Sequence, residues 1–133
     1  ANRDRIVFVD ATAMERSIAA TGRVALYGIR FDTDRAEPRP DSRPTLEEIA
    51  KYLRANPSVA VVVTGHTDSQ GSFEHNVDLS RRRAAAVVAA LSQDFGIAAA
   101  RLTPFGAGMA APVAANDSDQ GRGQNRRVEI VRR

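Results

Sequence analysis

The chain predicts an α/β fold, an α+β sandwich: a mixed sheet with a β-α-β-α-β core packed on helices, and a last strand that runs antiparallel. Three observations carry this. Val59-Ala-Val-Val-Val-Thr64 is an apolar, mostly β-branched run with no polar alternation, the pattern of a central strand covered on both faces. Helical periodicity flanks it, with Leu46, Ile49, Ala50 and Leu53 at i, i+3, i+4, i+7 before it and an Ala/Val-rich stretch to Leu91 after it. Near the end, Val128, Ile130 and Arg132 alternate with Glu129 and Val131, as in a strand.

Taken in order, Ile6-Val-Phe-Val9 is a short strand candidate, and Asp10 is placed to cap a helix over about residues 11–20 that presents Met14 and Ile18 on one face. Gly22 is suited to end that helix. Val24 to Phe31 follows as a strand, and Asp32-Thr-Asp34 with Glu37-Pro-Arg-Pro40 makes a proline-punctuated loop. Ser42 or Thr45 opens the next helix, Glu47 and Glu48 favour its first turns, and Asn56-Pro57 stops it. After the central strand, Gly65 lets the chain turn. Gln70-Gly-Ser72 then leads into a long helix from about Asn76 to Phe95 that ends at Gly96. Arg101 to Phe105 is a strand, a long loop runs from Gly106 through Pro112 to Asp119, and Gly121 to Asn125 makes one helical turn before the strand Arg126–Arg132. Two units are expected: residues 1–22 as an N-terminal strand and helix extension, and residues 23–133 as the domain proper.

Length and composition fit one globular domain: 133 residues, 43% hydrophobic and 26% charged. The net charge of +3 and an aromatic content of 5%, with 16 acidic residues spread through the chain, speak against nucleic-acid binding. The absence of cysteine excludes disulfides, zinc thiolates and thiol catalysis. No stretch is long and apolar enough to span a bilayer, and the abrupt start at Ala1-Asn-Arg-Asp leaves room for an upstream export signal or anchor.

Helix geometry separates the three consecutive arginines. With Leu79 at zero and about 100° per residue, Arg83 falls near 40°, Asn76 near 60°, Val87 near 80° and Leu91 near 120°, whereas Arg81 and Arg82 land near 200° and 300°. Arg83 and Asn76 therefore share the inward stripe. A guanidinium there is expensive unless paired, and Asp68, one loop past the central strand, is the natural candidate. Two readings follow: a structural Asp–Arg ion pair, or a cleft at the strands' carboxyl ends holding a ligand that carries both an amine and a carboxylate.

Other chemistry is poorly supported. His66, Asp68 and His75 lie close in sequence but lack the helical spacing of a metal motif, and His66 is expected to pack under the loop with one ring nitrogen hydrogen-bonded. Neither a nucleophile elbow nor a phosphate-binding glycine pattern is present, so no catalytic residue, metal or cofactor is expected.

Set out together, Gly65-His-Thr-Asp68, Gly71, Asn76-x-x-Leu79-Ser80-x-x-Arg83-Ala84, Val87, Leu102, Gly106, Pro112, Asn116, Gly121-Arg122 and Asn125-Arg-Arg-Val128-Glu129 resemble the OmpA-like domain. That domain is the periplasmic peptidoglycan-binding module of outer-membrane porins, Pal-type lipoproteins and MotB-type stator proteins. The resemblance covers about Arg23 to Arg132 in several separated blocks.

The resemblance implies non-covalent binding of the diaminopimelate residue of the cell-wall stem peptide, tethering an outer-membrane or envelope protein to the wall. Asp68 would receive the ligand's ammonium and Arg83 its carboxylate. Asn76 would brace the loop or touch the ligand, Leu79 would supply apolar contact, and Asp34 lies where the family contacts the peptide. Arg126 matches a family arginine near the pocket, with a salt bridge to the acidic loop as its alternative. Pro38 and Gln70 depart from the family pattern. The implied location is periplasmic, with membrane contact and any homo-oligomer arising through an upstream region. Two alternatives remain: an envelope interaction domain without cell-wall affinity, and an enzyme acting on wall peptide, which lacks a nucleophile or metal set.

Overall fold

The computed structural model describes residues 8–133. Helix α1, Ala11–Thr21, starts at Asp10, whose side chain accepts from Ala13 N, and stops at Gly22, whose φ of 83° is the left-handed value that favours glycine. Strand β1, Arg23–Leu26, is followed by a long connection to helix α2, Arg43–Ala55, then strand β2, Val61–His66, and helix α3, Phe73–Gln93. Strand β3, Leu102–Gly108, helix α4, Asp119–Asn125, and strand β4, Arg127–Arg132, complete the domain.

The sheet order is β1-β4-β2-β3. Strand β4 enters between β1 and β2 and runs antiparallel to both, as expected of the last strand, while β2 and β3 pair in parallel across the α3 crossover. Of the strands joined by α2 and α3, β2 and β3 are direct neighbours, whereas β1 and β2 are separated by β4. Met14, Ile18, Leu26, Ile49, Leu53, Val61, Val63, Val87, Leu91 and Ile130 form one buried core, so α1 packs into the same interior as the rest of the domain.

Several boundaries differ from the expectations for physical reasons. Of the first strand candidate, Ile6 and Val7 lie outside the described residues, and Phe8 and Val9 are not in a strand. Strand β1 ends at Leu26, not Phe31, because β4 offers partners only from Val131 back to Val128. Beyond it the Ser42 hydroxyl takes over, accepting from Arg30 N at 2.8 Å and donating to Arg30 O at 3.2 Å. That occupation leaves α2 without a side-chain cap at Ser42. Gly65 does not turn the chain but lies within β2, where α3 crosses so closely that a Cβ would collide with the Ser80 carbonyl. Gly106 extends β3 in the same way, beneath the backbone of Arg81, and Gly108 N donates to Ser80 Oγ at 3.0 Å. Helix α3 begins three residues earlier than expected because Ser72 caps it, accepting from His75 N at 3.0 Å.

The expectation that β2 is covered on both faces holds for part of its length. Val61 and Val63 face the helices and are fully buried, whereas Val62, on the opposite face, is half-buried. Nearer the carboxyl end, Thr64 and His66 are buried on that opposite face, alongside Glu129 and Arg127 of β4. The segment between β3 and α4 is tied down there, since Arg127 Nη2 donates to Ala111 O at 3.0 Å.

Candidate functional site

The carboxyl end of β2 and the first two turns of α3 hold most of the residues singled out by the sequence. Asp68 follows β2 in a loop whose backbone is fixed by Thr67 N donating to Gly108 O at 2.9 Å. Asn76, on the inward stripe of α3 and buried, donates through Nδ2 to Gln70 O at 2.8 Å and to Asp68 O at 3.4 Å. It braces the loop. Oδ1 of Asp68 accepts from Gln70 N at 2.9 Å, so the carboxylate is aimed by its own turn.

The charge partner of Asp68 is Arg126, not Arg83. Arg126 Nη1 donates to Asp68 Oδ2 at 2.6 Å, a charge-assisted contact that leaves the Asp68 side chain 9% exposed and that of Arg126 52% exposed. The structural Asp68–Arg83 ion pair is thus overturned: no direct bridge joins the two among the described residues, although the Asp68 charge is felt at Arg83. For Arg126, the salt bridge to the acidic loop is what the structure contains.

Arg83 instead props the loop after β1. Its Nε donates to Arg35 O at 2.8 Å, its Nη2 to Asp32 O at 3.1 Å, and the guanidinium lies 4.8 Å from the centre of the Phe31 ring. Burial pushes its pKa below the ordinary arginine value, and the Asp34 carboxylate pulls it back. A guanidinium has five N–H donors, of which two are used here, so the Nη1 end remains able to grip a carboxylate. Asp34 sits in the propped loop with a left-handed φ of 58°, its Oδ1 3.2 Å from His75 Nε2. Leu79 is buried beneath, on the same stripe of α3.

Arg126 owes its position to Asn125. That side chain is fully buried, and its Oδ1 accepts from Val113 N at 2.8 Å and Ala114 N at 3.1 Å. Its Nδ2 donates to Ala114 O and Asn116 Oδ1, both at 2.8 Å. Neither these bonds nor the role of Phe31 as a platform was legible in the sequence, because each depends on segments distant along the chain.

His66 departs from expectation. It is buried, yet neither ring nitrogen has a hydrogen-bond partner among the described residues. Burial, reinforced by Arg127, holds its pKa down to about 4, against an opposing pull from Glu129. Asp68 is taken by Arg126 and His75 by Asp34, away from His66, and among the described residues no three His, Asp or Glu side chains gather to hold a metal ion. An open groove lined by Asp32, Arg35, Glu37, Pro38 and Arg39 borders the propped loop. Its ions are matched to one another, Arg39 to Asp32 at 2.9 Å and Arg35 to Glu37 at 3.5 Å.

Residues 30–126 match the OmpA family. The chain is 37% identical over 123 residues to outer membrane porin F of Pseudomonas aeruginosa, an alignment covering 92% of this chain and 35% of the porin. It is 39% identical over 103 residues to the peptidoglycan-associated lipoprotein of Agrobacterium fabrum, covering 77% of this chain and 58% of the lipoprotein. The crystal structure of the peptidoglycan-associated lipoprotein from Burkholderia pseudomallei superposes with a TM-score of 0.73 at 29% identity, covering 93% of this chain and all of that one. The chain spans from about a third to three-fifths of the length of these two curated relatives.

Proposed function

The chain belongs to the OmpA family, and from that premise we propose that it binds peptidoglycan non-covalently through the diaminopimelate of the stem peptide, tethering an envelope protein to the cell wall. Residues 23–133 form the proposed binding unit, with α1 packed onto it. The names of two relatives support the partner, one a peptidoglycan-associated lipoprotein and the other a peptidoglycan-binding protein from Mycobacterium bovis. Outer-membrane relatives support a place in the envelope.

The observation that carries the reading is a buried carboxylate and a half-buried guanidinium served by one helix. Arg83 lies two turns, about 10 Å, along α3 from Asn76, which holds the Asp68 loop. The diaminopimelate side chain ends in a carbon bearing both an ammonium and a carboxylate. Asp68 is an acceptor-only group for the first, and the remaining N–H groups of Arg83 suit the second. Asp34 lies at the rim of the propped loop, Arg126 beside Asp68 in the free chain, and Asn76 and Leu79 support the floor. The proposed action is binding, not turnover.

One zwitterion on a shallow surface supports only weak to moderate affinity, roughly micromolar to millimolar. The wall offers many identical stem peptides, so several copies held in one membrane gain avidity. Asp68→Ala and Arg83→Ala are each expected to abolish sedimentation with purified peptidoglycan while circular dichroism stays native. Pelleting retained in both variants refutes the assignment. A second reading, an envelope interaction domain without wall affinity, draws on Asp68 already being neutralised by Arg126. Titration with a diaminopimelate-containing peptide separates the two, since this second domain gives no saturable binding.

A further inference from the structure

We propose that Arg126 is the resident cation of the Asp68 seat, and that a ligand's ammonium binds there by displacing it. The proposal rests on the zwitterion reading above and specifies how that site is entered. Asp68 has one oxygen on Gln70 N at 2.9 Å and the other on Arg126 Nη1 at 2.6 Å. With the carboxylate side chain 9% exposed, the guanidinium covers the approach that an ammonium needs. An ammonium and Arg126 repel each other beside one carboxylate, which favours exchange over addition.

The arginine is free to leave where its backbone is not. Asn125 anchors the preceding residue through four hydrogen bonds to residues 113–116, and Arg126 N donates to Arg122 O at 3.1 Å. The Arg126 side chain, by contrast, is 52% exposed and has Asp68 as its one side-chain partner among the described residues. Swinging into water costs it little desolvation. Arg83 lacks this freedom: two main-chain carbonyls and the Phe31 ring hold it in place. One arginine is therefore the fixed grip for the ligand's carboxylate, and the other is the exchangeable cation.

Exchange has a signature that a simple contact lacks. With Arg126 in place, a ligand without the ammonium meets a neutralised Asp68 and is not repelled. With Arg126 removed, Asp68 is a carboxylate with water and no cation beside it, which rewards an ammonium and rejects a plain anion.

The test is calorimetric titration of the folded chain with a soluble diaminopimelate-containing stem peptide and with its des-amino analogue, at one ionic strength. Arg126→Gln is expected to bind the zwitterionic peptide about tenfold tighter than the wild type and the analogue no tighter, so the ratio between them widens. In the wild type, which needs no substitution to be scored, the Arg126 guanidinium NMR resonance is expected to move to the position of solvent-exposed arginines as the peptide saturates. Weaker peptide binding by Arg126→Gln, or a resonance unmoved at saturation, overturns the exchange while leaving the binding site standing. A wild-type chain that binds neither ligand refutes the zwitterion reading itself, and the exchange with it.

Discussion

Arg126 and Arg127 are neighbours in sequence and opposites in structure. At the start of β4 they point to different sides. Arg126 reaches across the loop to Asp68 with half its side chain in water, whereas Arg127 lies under the segment between β3 and α4 with its side chain 2% exposed. Arg127 donates through Nε to Glu129 at 2.7 Å, through Nη1 to Asn125 O at 3.2 Å and through Nη2 to Ala111 O at 3.0 Å. The buried arginine fastens the long loop to the sheet. The exposed one is left with a partner it can give up. A basic pair that reads as one feature in the sequence thus divides into a structural bolt and a component of the proposed site.

Removing the bolt is expected to have the largest effect. Arg127→Ala takes from Glu129, whose side chain is 5% exposed, its one close donor among the described residues, leaves it Arg23 at 3.9 Å, and frees the Ala111 carbonyl from its donor. Leaving one member of a buried, hydrogen-bonded pair without its partner costs about 3–5 kcal/mol. The urea midpoint is expected to drop accordingly. A loss below about 1 kcal/mol would mean that the pair contributes no more than a surface contact.

The pH dependence of stability is the next largest effect. His66 has a pKa of about 4 in the folded chain, below the ordinary 6.5, because burial and then Arg127 disfavour its charged form. Between those values the unfolded chain holds the proton and the folded one does not. The contribution is complete above about pH 6.5 and shrinks as pH falls towards 4. The gap corresponds to at most about 3 kcal/mol at 1.36 kcal/mol per pH unit. Because neither ring nitrogen has a partner among the described residues, His66→Leu forfeits no hydrogen bond seen there. Carboxylates titrate over the same acid range, so the difference between wild type and variant is the quantity to follow. The variant's stability is expected to fall less between pH 7 and pH 4. Parallel curves would show that His66 is no such acid-labile element.

How much of this was legible follows from what each feature depends on. The cap at Asp10, the stop at Gly22 and the inward stripe of α3 depend on residues within a turn or two of one another, and each is as read from the sequence. Helical phase alone separated Arg83 from Arg81 and Arg82, both of which pair outward with Asp78. Phase does not say what an inward guanidinium meets. Carbonyls 48 and 51 positions away took Arg83, and a residue 58 positions away took Asp68. Gly65 and Gly106 misled for the same reason: the need for a missing Cβ came from α3 crossing above them, not from a local turn. The OmpA-like pattern supplied candidate site residues where periodicity left alternatives open, but not which of them face one another.

The smallest effect completes the comparison. Arg126→Ala removes a guanidinium that is half in water, so the pair is discounted for screening, and water can enter the place beside Asp68 that the side chain leaves. Gln70 N still donates to the carboxylate, and Asn76 still holds the loop. The expected loss is about 1 kcal/mol or less in urea unfolding. It should also be reduced by added salt, because a partly exposed pair is screened where a buried one is not. If Arg126→Ala instead destabilised the chain as much as Arg127→Ala, with no response to salt, Asp68 would depend on its arginine as Glu129 does. An arginine so bound would be a second bolt, unable to leave for a ligand.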